Sequence, residues 1–68
     1  MDRKEQHLNN FLTGAEQAYS ERTGKNLYLD EKLVEIVKQE AEVYWDGTNI
    51  AIQQAQMMGR IAMDNILV

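Results

Sequence analysis

Cysteine and proline are both absent from this 68-residue chain. Without cysteine there is no disulfide framework, no thiolate nucleophile and no thiolate ligand for a metal. Histidine occurs once, at His7, and serine once, at Ser20. Nucleophilic catalysis needs a hydroxyl or thiol beside a base, and no His sits at a helical spacing that faces Ser20. We expect no catalytic residue, no metal, no cofactor and no enzyme. Positive charge is also scarce, with 7 Lys and Arg against 11 Asp and Glu and a formal net charge of −4. That balance disfavours a protein whose main task is gripping phosphate.

Long apolar runs are missing too. Residues 50–68 come nearest, but Gln53, Gln54, Gln56, Arg60, Asp64 and Asn65 interrupt them, so no segment spans a membrane. The opening Met1-Asp2-Arg3-Lys4-Glu5-Gln6 lacks the apolar core of a signal peptide. We therefore expect a cytoplasmic protein. There is no Glu-x-x-His pair for a di-metal bundle. Thr23-Gly24-Lys25 fails as a phosphate loop, because Tyr19 stands where the first Gly is required and Asn26 where Ser or Thr is required. Asp46-Gly47-Thr48-Asn49 lacks the alternating acidic ligands of a calcium loop.

What the chain does have is apolar periodicity. Apolar residues make up 44% of it, too many for a disordered acidic tail. Gly24 and Gly47 stand where that periodicity stops, as residues just past a helix C-terminus do. The result is an all-α, three-helix domain over 1–68, with helices at about 3–22, 31–46 and 49–67. In the first helix Leu8, Phe11, Leu12, Ala15, Ala18 and Tyr19 fill roughly 120° of the circumference. His7 falls near the edge of that stripe, where a surface position is expected, and Gly14 falls on the polar side. Leu27, Tyr28 and Leu29 are expected to tuck under the bundle. Asp30 is placed to cap the second helix, and Thr48 the third.

The second helix sets Glu31, Lys32, Glu35, Lys38, Gln39, Glu42 and Asp46 on one face. Its apolar arc is roughly 200° wide, with Glu40 as an exception inside it. The third helix has a narrow polar face and an apolar arc of roughly 240°. A helix in a monomeric bundle needs a stripe only somewhat over 100° wide. One thin amphipathic helix cannot cover the surplus of both others, and large exposed apolar patches are rare on soluble monomers. A 68-residue core supplies only about 3–5 kcal/mol net, which also favours a partner. We expect a homodimeric helical bundle, since closed two-fold dimers are the commonest oligomers.

Ala51, Ala55, Met58, Gly59 and Ala62 form the candidate self-association surface. Small side chains there would let another helix approach closely. Packing inside one monomer is the alternative for the same stripe. Met57, Met58 and Met63 suit either a core or an adaptable surface. Gln54 and Asn65 could pair across a two-fold axis or lie at a solvated edge. Glu40 could meet Arg60, a partner's cation or water.

Tyr44 and Trp45 are the candidate anchors for a protein partner, since Trp and Tyr dominate interface hot spots. Glu31, Glu35, Glu42 and Asp46 line up to meet a basic surface. The functional expectation is a non-catalytic, acidic protein-binding factor. Its size and charge parallel the small inhibitory or regulatory proteins of phages and mobile elements, with a host protein as partner. Two alternatives remain. One is a helix-turn-helix DNA binder reading adenine through Asn49, Gln53 and Gln56. The other is an accessory or structural subunit of a larger complex.

Overall fold

Asp2 opens the first helix. Its backbone is extended (φ −65°, ψ 142°) and its carboxylate accepts from the Lys4 amide at 3.3 Å. One of the donors that a helix N-terminus leaves unpaired is thereby satisfied. Helix α1 runs Arg3–Thr23. Gly24 then takes a left-handed φ of 70°, and its amide donates to the Ser20 carbonyl at 2.8 Å. Only Gly adopts that conformation without a Cβ penalty. A 3₁₀ turn, Leu27–Leu29, leads to α2, Glu31–Tyr44, where the Asp30 carboxylate accepts from the Leu33 amide at 3.2 Å. Helix α3 is Ile52–Ile66. This computed structural model describes residues 2–45, 47 and 50–68, with no strand among them.

The three helices match the periodicity reading in number and order, and differ from it by more than one residue at two ends. Helix α2 stops at Tyr44 rather than at 46, and α3 starts at Ile52 rather than at 49. Thr48 and Asp46 lie outside the described residues. Ala51 occupies the N-cap of α3 and offers no side-chain cap. The connection between the 3₁₀ turn and the core also differs from expectation. Leu27 is fully buried, but Tyr28 and Leu29 are exposed.

Ion pairs and close contacts fix the directions. Lys4 pairs with Glu42 and His7 bonds Ala41, so α1 and α2 run antiparallel. Gly14 meets Gln56, and Arg22 pairs with Asp64, so α1 and α3 run parallel. The molecule is an up-down-up bundle of 32 × 20 × 19 Å.

The contact between α1 and α3 is the closest of the three. A methyl group at Gly14 would overlap the Gln56 carbonyl oxygen, and one at Gly59 would overlap that of Phe11. Each glycine therefore admits the backbone of the facing helix. Gly14 is buried against α3, not on a solvated face as its position in the projection suggested. Ala15, Ala18, Ala55 and Ala62 are buried as well. Phe11, Leu27, Val37 and Met63 are the largest fully buried side chains. The apolar surplus of α2 and α3 is not hidden within one copy. Ile36 and Val43 on α2, and Ile52, Met57 and Ile61 on α3, remain exposed.

Candidate partner-binding cleft between α1 and α2

The N-terminal turns of α1 and the C-terminal half of α2 diverge around a cleft of about 480 Å³. His7, Leu8, Ala41 and Trp45 form its floor, and Asp2, Lys4, Glu5, Glu35, Lys38 and Glu42 stand around it. Asp2 starts α1, and the antiparallel α2 brings Ala41 and Trp45 opposite His7.

His7 is the hinge of this arrangement. It is only 4% exposed, not the surface residue its place on the stripe suggested. Its Nε2 lies 2.9 Å from the Ala41 carbonyl oxygen. A carbonyl only accepts, so Nε2 donates this hydrogen bond. Nδ1 is buried and has no hydrogen-bond partner among the described residues. The imidazole stacks on the Trp45 indole (6.3 Å between centroids, 22° between planes) and tilts against Phe11 at 5.7 Å. Phe11 in turn tilts against Tyr44 at 5.6 Å. Ala41 belongs to the last turn of α2, whose carbonyls lack intrahelical donors. His7 thus ties down the end of α2, and the aromatic chain of Trp45, His7, Phe11 and Tyr44 links that end to the core. His7 stands four residues before Phe11, at the edge of the apolar stripe, and only the Ala41 acceptor on another helix makes its burial tolerable.

The rim is unevenly charged. Lys4 pairs with Glu42 at 3.3 Å and Lys38 with Glu35 at 3.8 Å. Asp2 and Glu5 have no ion-pair partner among the described residues. Four carboxylates against two ammonium groups leave a negative field over an apolar floor. The expected anchors and acids are brought together here in part. Trp45, Glu35 and Glu42 border the cleft, while Tyr44 packs inward on Phe11. Glu31 is exposed in the first turn of α2. Asp46 lies outside the described residues. The chain matches no family model, no curated protein and no solved structure.

The small-residue stripe has a different placement from the cleft. Ala55, Gly59 and Ala62 are buried against the chain's own core, with α1 filling the space next to Gly59. Met58 is half-buried against that core, and Ala51 is exposed ahead of α3. The close helix approach that these residues permit is made to α1. Of the groups suggested for adenine readout, Gln53 is exposed on α3. Residues 45–51 connect α2 to α3, longer than the 3–4-residue turn of helix-turn-helix proteins. Asn49 lies outside the described residues, and Gln56 is half-buried where its backbone meets Gly14.

Among the described residues no cluster of three or more His, Asp or Glu is placed to hold a metal ion. Among the described residues no helix is long and apolar enough to cross a membrane.

A second charged feature lies at the far end of α1. Arg60 reaches both carboxylate oxygens of Glu21, at 2.7 and 3.3 Å. The hydrogen-bonded guanidinium holds the Glu21 carboxyl below its ordinary pKa, and Glu21 raises that of Arg60. With Arg22–Asp64 at 3.2 Å, this pair of bridges clasps α1 to α3 and lies outside the cleft.

Proposed function

We propose that this protein is a non-catalytic, self-associating protein-binding factor whose α1–α2 cleft receives a basic segment of a partner protein. The cleft itself carries the reading: an apolar floor under a rim with two uncompensated carboxylates. An arginine or lysine side chain has the matching form, an apolar stem ending in a cation. The stem lies over Leu8 and Ala41, and the head meets Asp2, Glu5 and the outer carboxylates. Trp45 adds an aromatic wall against which a cation is attracted by about 0.5–1 kcal/mol or more. Charge of this kind speeds encounter and selects partners. Such a factor acts by occupying a basic surface, which suits a regulatory or inhibitory role.

Trp45 is the only tryptophan, so its fluorescence reports on the cleft directly. Titration with an arginine-rich peptide is expected to change that emission saturably, and more weakly as salt is raised. Glu5→Gln and Glu35→Gln should each weaken binding several-fold. An acidic peptide of equal length should have no effect. Absence of a saturable response to the basic peptide, or a response unaltered by both substitutions, overturns the reading.

A further inference from the structure

We propose that two copies of this chain pair through the outward face of α2, antiparallel, about a two-fold axis at Ile36. This deepens the self-association part of the reading above and does not depend on what enters the cleft. Three apolar side chains are left in water on α2 or just before it. Leu29 is 83% exposed, Ile36 44% and Val43 78%. Ile36 and Val43 stand seven residues apart on α2, the spacing that keeps side chains on one helix face, and Leu29 ends the 3₁₀ turn just before that helix. Lys32 stands four residues before Ile36 and Glu40 four after it. Neither has an ion-pair partner among the described residues. They cannot satisfy one another, because eight residues separate them by about 12 Å along the axis.

This pattern is self-complementary when reversed. In an antiparallel pair centred on Ile36, each residue before the centre faces the residue equally far after it in the copy. Ile36 then meets Ile36 of the partner subunit. Val43 of the partner subunit reaches the start of α2, and Lys32 meets Glu40 of the partner subunit. Two-fold symmetry makes each of the last two contacts twice. A parallel pairing in register would instead set Lys32 on Lys32 of the partner subunit and Glu40 on Glu40 of the partner subunit, and like charges repel. Charge therefore selects both the occupant and the direction. It also accounts for Glu40, the one acid inside the apolar arc. Glu35 and Glu42 point about 100° or more away around the helix, so both clefts stay open in the pair. The contact is one helix face about 21 Å long, below the size of a standard interface, so the association is weak and concentration-dependent.

Because the chain has no cysteine, an introduced thiol can bond only to its counterpart in another copy. I36C is expected to form a disulfide-linked dimer under mild oxidation, and V43C alone is not. Sedimentation of K32E or E40K should show association weakened about tenfold, with the double variant K32E/E40K restored. Circular dichroism checks that each variant is folded. A dimer in which I36C does not cross-link and the double variant is not restored overturns the α2 face while leaving self-association intact. Equal cross-linking of I36C and V43C overturns the antiparallel direction. A monomer at every concentration tested overturns this pairing and the self-association reading together, leaving the cleft unaffected.

Discussion

A glycine inside a solvated helix costs about 1 kcal/mol relative to alanine. At Gly59 that sign reverses, because a methyl group would meet the Phe11 carbonyl, which belongs to the backbone and cannot swing aside. Gly14 stands in the same relation to Gln56. Overpacking of this kind costs about 1–3 kcal/mol. Gly59→Ala is expected to lower the denaturant midpoint, as is Gly14→Ala; a rise in either would show that α1 and α3 are farther apart than described. Gly14 illustrates where sequence reading stops at this scale. An amphipathic projection scores glycine as polar or neutral. Its real contribution here is the absence of a side chain, which counts only once a neighbouring backbone is in place. His7 is the same kind of case. Its periodicity matched the buried stripe, but burial of a polar ring is tolerable only because Ala41 supplies an acceptor from another helix.

At the level of elements, α1 and α3 are joined by glycine contacts in the middle and by the Glu21–Arg60 and Arg22–Asp64 bridges beyond it. The Glu21 carboxyl has a folded pKa below its ordinary 4.5. A depressed carboxylate contributes stability at pH values above its unfolded pKa. That contribution fades as pH falls through the lower folded value. Glu21→Gln should therefore flatten the acid side of the stability–pH curve and leave α2 helicity unchanged at neutral pH. An unchanged acid limb in the variant would show that the bridge is not populated in solution. The pair is exposed and screened by salt, so its effect should shrink at high ionic strength. Helix ends show an equally local logic. Asp2, Gly24 and Asp30 carry their capping chemistry in their own side chains or lack of one. The start of α3 does not, and it begins at Ile52 without a side-chain cap.

For the whole molecule, the balance of apolar surface decides behaviour. A chain this short buries about 60% of what its unfolded form exposes, and α2 and α3 still present Ile36, Val43, Met57 and Ile61 to water. If copies associate through such surface, mass action couples folding to concentration. The thermal midpoint should then rise with protein concentration, and Ile36→Glu should abolish the rise without lowering the midpoint measured in dilute solution. A midpoint independent of concentration would mean that the exposed residues remain solvated.

Sequence alone determined the class of this protein: the three helical segments, the cap at Asp30, the break at Gly24, and an apolar excess on two of the helices. These are short-range properties, set by spacing along one chain and by side-chain chemistry within one turn. Tertiary structure decided which small residues face which helix, that His7 goes inside, and that Trp45 and the acids of α2 border a cleft with the start of α1. Those outcomes depend on how closely two backbones approach and in which direction they run, and no periodicity within a single helix encodes either.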